Sequence, residues 1–168
     1  MSTVHANLLI AANGATTLGG RSAPLSSGSD RERFHALRAL ADLIIIGGAT
    51  ARIEPYEKTP CELVVISRGD DLGRAATNPL AQITHQSIAE VIRAATSQGS
   101  TVLIEAGVSL LLEATQSHHV DLLHITRTER LGDGDFVDES ELFAGFTLES
   151  EQLVASERFQ QWRACSSN

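Results

Sequence analysis

Three short apolar runs, each followed by a turn that contains glycine, constrain the fold of this chain more than any other feature. The runs are Leu43–Ile46, Leu63–Ser67 and Thr101–Glu105. The first has no polar alternation, as expected of a strand that is covered by helices on both faces. Helices are predicted at residues 87–97 and 108–117, so strand, turn and helix follow one another in the order that is typical of a mainly parallel sheet.

The segments before and between these runs fit the same α/β pattern. Val4–Ala12 is predicted as the first strand, and residues 15–28 as a long Gly/Ser/Thr-rich loop of the kind that binds ligands. A helix is predicted from an N-cap at Ser29 or Asp30 to Ala41, and the next strand from Asp42. The helix carries an apolar stripe that consists of Phe34, Leu37, Leu40 and Ala41.

The pattern changes after Asp121. Strands are predicted at residues 122–128, 145–154 and 158–164, with a Gly- and Asp-rich loop at residues 131–135. Consecutive strands without intervening helices favour antiparallel pairing, so the sheet is predicted to be mixed.

Composition limits the number of domains and the classes of partner. A chain of 168 residues with 42% hydrophobic residues fits a single domain over residues 1–168. A net charge of −8 disfavours nucleic acid and anionic membranes as partners, and no apolar run is long enough to span a bilayer. Cys61 and Cys165 have neither the number nor the spacing of a zinc site or a disulfide framework. We therefore expect a cytoplasmic protein without a metal.

The turns after the apolar runs are the candidate ligand sites, because ligands of open α/β sheets bind at the carboxyl ends of the strands. Gly47 and Gly48 permit close approach of the backbone, and Thr50 can donate a hydrogen bond. Residues 107–110 open a helix whose N-terminus favours a pyrophosphate. Neither turn has the G-x-G-x-x-G spacing, so ordinary turn glycines remain the alternative.

The middle run ends in Ser67 and Arg68, which could bind the 2′-phosphate that distinguishes NADP from NAD. A solvated surface arginine is the alternative at this position. His118 and His119 lack a third ligand at suitable spacing and are interpreted as solvated loop residues. His35 is assigned to packing or a surface contact, and Trp162 to the core or a dimer interface.

Six short motifs follow one another between residues 7 and 134. They are Asn13-Gly14, Leu25-Ser26-Ser27, Leu37-Arg38-Ala39, Asp42 through Gly48 with Thr50 and Arg52, Ile104-Glu105-Ala106-Gly107, and Val120-Asp121-Leu122-Leu123 with Leu131-Gly132. This series resembles the reductase domain of the bacterial bifunctional riboflavin-biosynthesis deaminase/reductase. The zinc-site pattern of the deaminase half, H-x-E with a downstream P-C-x-x-C, is absent from the sequence.

The resemblance implies a three-layer α/β fold similar to dihydrofolate reductase, with a mixed, mainly parallel sheet flanked by helices and antiparallel C-terminal strands. It also implies a homodimer, and an NADPH-dependent reduction at the ribose C1′ of a pyrimidine ribosylamine phosphate. By position, Ser22, Arg38 and Glu105 would contact the substrate. The cofactor-binding set would be Gly47, Gly48, Thr50, Arg52, Glu54, Ser67, Arg68, Gly107, Val108, Ser109 and Leu110.

Two positions are predicted to be catalytic, Glu105 and Asn13. Asn13 stands where the related domains have Asp, and an amide cannot exchange a proton at neutral pH. The segment after Arg52 is also shorter than its counterpart and lacks a terminal Arg. A reductase of another heterocycle, such as a dihydropterin, and a non-catalytic nucleotide-binding homologue are therefore the alternatives.

Overall fold

The fold is built on one eight-stranded sheet. The computed structural model describes residues 1–166. The strands are β1 (Val4–Ile10), β2 (Leu43–Gly47), β3 (Glu62–Ile66), β4 (Ala81–Thr84), β5 (Val102–Ile104), β6 (Leu122–Arg127), β7 (Phe146–Val154) and β8 (Glu157–Ala164). Their order is β4-β3-β2-β5-β1-β6-β8-β7. The first six pair in parallel and the last two are antiparallel, which confirms the predicted mixed sheet.

Helices cover both faces of the sheet and complete three layers. They are α1 (Gly28–Arg38), α2 (Gly48–Ile53), α3 (Ile88–Ser97), α4 (Val108–Gln116) and α5 (Glu139–Leu142), with short 3-10 turns at Ala23–Leu25 and Gly73–Thr77. Strand β2 shows how the layers pack. Leu43 and Ile45 join the cluster beneath α3, α4 and α5, whereas Ile44 and Ile46 join the cluster beneath α1 and α2. All four are buried, as the run without polar alternation predicted.

The structure corrects the predicted helix α1 at both ends. Its N-cap is Ser27, whose side chain accepts a hydrogen bond from the Asp30 N–H, and neither Ser29 nor Asp30 caps it. The helix ends at Arg38, so Leu40 lies beyond it and is 62% exposed. Of the predicted stripe, only Leu37 is buried.

Five elements were not predicted: α2, β4, α5 and the 3-10 turns at Ala23–Leu25 and Gly73–Thr77. Helix α2 begins at the two glycines that were interpreted as a turn. Strand β4 has the sequence AQIT, too short and too polar to give an apolar run. Strand β1 ends at Ile10 and not at Ala12. Trp162 is half-buried and packs against the core, and its ring stacks on Phe143 at 4.1 Å between centroids.

None of the helices within residues 1–166 is long and apolar enough to cross a lipid bilayer.

Candidate active site

A cleft of about 1460 Å³ opens where the carboxyl ends of the parallel strands meet. It is lined by residues that follow β2, β3 and β5, by the cleft-facing side of α1 and by the loop before α1. Of the predicted site residues, the structure brings fourteen together around this cleft: Ser22, Arg38, Gly47, Gly48, Thr50, Arg52, Glu54, Ser67, Arg68, Glu105, Gly107, Val108, Ser109 and Leu110.

Asn13 is the exception, since it is not among the residues that line the cleft. Its side-chain amide donates to the Gly132 carbonyl oxygen at 2.8 Å, and its Oδ1 accepts from the Gly132 N–H at 3.2 Å. These bonds join the turn after β1 to the loop after β6. The geometry gives Asn13 a structural role, and we assign it no catalytic step.

Helices α2 and α4 differ from the other helices at their N-termini. Ser27 caps α1, Ser87 forms a capping box with Glu90 on α3, and Asp138 caps α5. By contrast, the N-caps of α2 and α4 are Gly47 and Gly107, which supply no side-chain hydrogen bond. The first N–H groups of a helix need an acceptor. At these two helices, which both face the cleft, a ligand can provide it.

Ser67 and Arg52 lie beside the start of α2. A Cβ built on Gly48 would be 2.7 Å from Ser67 Oγ and 3.2 Å from Arg52 Nη1. Only glycine leaves room at this point for the serine side chain. Arg68, the residue after Ser67, is exposed and also lines the cleft. Hydroxyl, guanidinium and uncapped amide donors therefore meet at one end of the cleft, and this donor set fits the phosphates of a dinucleotide such as NADPH.

Arg38 and Glu105, which were predicted to contact the substrate, form a buried ion pair in the same cleft. Arg38 donates through Nε and Nη2 to the two Glu105 carboxylate oxygens at 2.8 and 2.7 Å. The Arg38 side chain is 12% exposed and that of Glu105 is 3% exposed. Burial opposes the charge of Arg38, but the hydrogen bonds to Glu105, the charge of that carboxylate and Tyr56 together outweigh burial and raise the Arg38 pKa.

Tyr56 completes this cluster and was missed at the sequence level. Its hydroxyl donates to Glu105 Oε2 at 2.6 Å, and Arg38 lies over the rings of both Phe34 and Tyr56, at 4.2 and 5.0 Å from their centroids. Burial, reinforced by the Glu105 carboxylate, raises the pKa of Tyr56 well above its usual value. Tyr56 lies 49 residues from Glu105 in sequence, so no local motif could have indicated the contact.

Ser22 and Glu54 form a second contact between distant segments. The Ser22 N–H and hydroxyl both donate to Glu54 Oε1, at 2.9 and 3.1 Å. The sequence assigned Ser22 to the substrate and Glu54 to the cofactor. In the structure they bind each other, and they join the loop before α1 to the end of α2.

Asp30 is a further buried carboxylate that lines the cleft, and the sequence indicated it only as a helix cap. Its Oδ2 accepts from the Ser26 hydroxyl at 2.5 Å, and its side chain lies on the cleft side of α1. Within residues 1–166, no group of three or more His, Cys, Asp or Glu side chains is arranged to hold a metal ion. His118 and His119 lie outside the cleft lining.

No protein-family model and no curated protein sequence matches this chain. Solved structures do. A deaminase/5-amino-6-(5-phosphoribosylamino)uracil reductase from Thermotoga maritima matches with a TM-score of 0.74 at 12% identity over 98% of this chain, which spans 57% of the length of that protein. A pyrimidine reductase-like protein from Corynebacterium diphtheriae gives 0.75 at 19% identity, over 99% of this chain and 93% of that one.

The dihydrofolate reductase of Enterococcus faecalis, solved in complex with NADP(H), gives a TM-score of 0.75 at 13% identity, over 98% of this chain and 97% of that one. These similarities confirm the predicted dihydrofolate-reductase-like fold, and the resemblance to riboflavin reductase domains holds at the level of the fold.

Proposed function

We propose that this chain is an NADPH-dependent reductase of a phosphorylated pyrimidine ribosylamine, similar to 5-amino-6-(5-phosphoribosylamino)uracil reductase. The observation that carries the proposal is the pair of uncapped helix N-termini, α2 and α4, which face one cleft beside Ser67, Arg52 and Arg68. A fold shared with reductases supports it. NADPH, when bound, supplies the hydride.

The substrate end can still bind a ligand although its groups are paired. An ionised carboxylate has about four acceptor positions, and Glu105 uses three of them for Arg38 and Tyr56. One position remains for a hydroxyl or exocyclic amine of the substrate. A guanidinium has five N–H groups, of which Arg38 uses two for Glu105, so it can also donate to a sugar phosphate. Glu105 and Arg38 thus orient the substrate and exclude water from the reacting carbon.

A reductase of another amino heterocycle, such as a dihydropterin, is the second candidate. Asp30 favours it, because a second buried carboxylate on the cleft wall can accept hydrogen bonds from adjacent ring and amino N–H groups. Offering both classes of substrate to the NADPH-loaded protein, and following the nicotinamide absorbance, distinguishes the two candidates. Binding of NADPH without its oxidation by either substrate would instead support a non-catalytic homologue.

The cofactor assignment is tested by titrating NADPH and NADH into the wild type, Arg68→Ala and a control, Arg93→Ala, with fluorescence quenching as the readout. Arg93 is exposed on α3 and does not line the cleft. A lost charge-assisted contact is worth about 1.5–3 kcal/mol, so Arg68→Ala should weaken NADPH by roughly 10- to 100-fold and leave NADH nearly unchanged. Equal weakening of both cofactors, or none, would contradict the assignment.

We also propose that the protein is a homodimer that uses its C-terminal strands. Strand β7 is at the edge of the sheet, and Leu148 and Leu153 on it are 41% and 67% exposed. Exposed leucines on an edge strand favour a cover, and a twofold-related copy provides one. A monomer mass in light scattering at micromolar concentration would exclude this assembly. The two cysteines, free in the structure, fit the reducing cytoplasm that we propose as its compartment.

A further inference from the structure

His85, the residue after β4, lines the cleft beside Ser67 and Arg68. Its Nδ1 lies 2.7 Å from the Ser67 carbonyl oxygen, and its Nε2 lies 3.1 Å from Asp70 Oδ1. A carbonyl oxygen and an ionised carboxylate can only accept hydrogen bonds, so both ring nitrogens must carry a proton to satisfy them. The contacts of His85 are therefore those of an imidazolium.

These contacts hold the turn that would meet a 2′-phosphate. The Ser67 N–H donates to the Thr84 carbonyl oxygen at 3.1 Å, and Ser67 Oγ accepts from the Gly69 N–H at 3.3 Å. His85, at the end of β4, contacts both Ser67 and Asp70, which are the first and last residues of the turn 67–70.

Charged groups of both signs lie in this part of the structure, and of these Asp70 contacts the imidazole. They are Asp70, Asp71 and Arg68 in the turn after β3 and Arg52 on α2. The hydrogen bond to the Ser67 carbonyl oxygen, followed by the charge of Asp70, raises the pKa of His85 above its ordinary value of 6.5. Loss of the proton would leave one ring nitrogen facing an acceptor and would leave the Asp70 carboxylate without a counter-charge next to the phosphate-binding turn.

We propose that His85 is a specificity-determining positioning residue: its imidazolium holds residues 67–70 in the conformation that presents Ser67 and Arg68 to the 2′-phosphate, and the preference for NADPH over NADH declines when His85 is deprotonated. This inference rests on the proposed function. The inference adds to the phosphate site a residue that follows a different strand, β4, and it makes the cofactor preference depend on pH.

The experiment measures NADPH and NADH dissociation constants for the full chain between about pH 6 and pH 9, a range that spans histidine titration. The variants are His85→Gln and the control His119→Gln, which changes a histidine outside the cleft lining. In the wild type and the control, the ratio of NADPH to NADH affinity should fall by roughly two- to fivefold across this range, the size expected of an exposed ion pair. The 2′-phosphate gains its second charge near pH 6, which acts in the opposite direction, and His85→Gln measures that contribution alone.

A second readout follows His85 itself by NMR. Its pKa should rise when NADPH binds, should not rise with NADH, and should fall in Asp70→Asn. If NADPH binds but the His85 resonance does not respond, and His85→Gln keeps the pH dependence of the wild type, this inference is wrong while the proposed function stands. If NADPH does not bind at any pH, both are wrong.

Discussion

The parts of the cleft that we propose for the cofactor and for the substrate, called here its cofactor end and its substrate end, differ in how far their polar groups satisfy one another. At the cofactor end, residues 47–52, 67–69 and 107–110, the helix N-termini lack side-chain caps and Arg68 is exposed. At the substrate end, formed by Ser22, Arg38, Glu54, Tyr56 and Glu105, the side chains bind one another over short distances. One end offers uncapped donors, and the other already holds a network of paired side chains that leaves few positions open.

This difference determines which hydrogen-bonding groups a ligand must supply at each end. At the cofactor end an anionic ligand supplies acceptors that the protein lacks, so binding breaks no contact within the chain. At the substrate end a ligand can use only the positions that the network leaves open. The network also fixes the directions of those positions, and such preorganisation is what orientation of a substrate requires. Stability should therefore depend on the substrate end, and cofactor affinity on the cofactor end.

The largest expected effect comes from breaking the network. Arg38→Met leaves the Glu105 carboxylate buried without its cation, which should lower the free energy of unfolding by about 3–5 kcal/mol. Arg68→Ala at the cofactor end should change it by no more than about 0.5 kcal/mol, because Arg68 is exposed. Urea unfolding of both variants measures the contrast. The double variant Arg38→Met/Glu105→Leu is the control, since removal of both charges should restore much of the lost free energy of unfolding. If Arg38→Met and Arg68→Ala lose similar amounts of stability, the distinction between the two ends is wrong.

The cofactor end was the more predictable from sequence, for a physical reason. Its groups follow directly after buried strands, and the glycines at 47, 48 and 107 mark places where a strand gives way to a helix N-terminus. The substrate end depends on pairs that are far apart in sequence, such as Arg38 with Glu105 and Ser22 with Glu54. The sequence nominated each of these residues for the site without indicating that they contact one another. That they bind each other follows only from the strand order.

Local sequence patterns also explain which strands and helices were predicted and which were missed. The apolar runs predicted β2, β3 and β5 because burial on both faces requires continuous hydrophobicity. The same criterion missed β4, which lies at the edge of the sheet and pairs only with β3. Helix α2 was missed because its first residue, Gly48, is a poor helix former, and packing against β2 and β3 overrides that propensity.

A smaller effect separates two histidines, of which one lines the cleft and the other is buried in the sheet. His85 at the cofactor end faces acceptors, whereas His124 on β6 is buried in register with Asn7, which lines the cleft on β1. Burial, followed by the charge of Arg33, lowers the pKa of His124 to about 3. Its Nε2 lies 2.9 Å from His5 Nδ1. When both imidazoles are neutral, one of these two nitrogens can carry the proton and donate a hydrogen bond to the other.

Acid should therefore destabilise the protein through His124. In the unfolded chain a histidine titrates near pH 6.5, so between about pH 6.5 and pH 3 the unfolded state binds the extra proton. Stability should fall as the pH is lowered through this window, by up to about 1.4 kcal/mol per pH unit from this residue. Urea unfolding at several pH values should give a shallower slope for His124→Gln than for the wild type. His85→Gln is the comparison variant, and it should retain the wild-type slope in this window. The pKa of His85 is raised in the folded protein, so this histidine is protonated in both the folded and the unfolded state over most of the window.

The smallest expected effect tests where the network ends. Ser22→Ala removes the hydroxyl bond to Glu54 but keeps the bond from the Ser22 N–H, and Ser22 is exposed, so stability should change by less than about 0.5 kcal/mol. NADPH affinity should not change, and neither should that of a control, Ser97→Ala, an exposed serine on α3. If Ser22 contacts the substrate, the KM of the reductase should rise several-fold in Ser22→Ala alone, because a hydrogen bond is worth about 1 kcal/mol. A rise in KM without a loss of stability would show that the serine donates to a ligand as well as to Glu54. A loss of more than about 1 kcal/mol in stability with KM unchanged would show instead that the hydroxyl serves to hold the loop against α2, and that the network of paired side chains extends to the rim of the cleft.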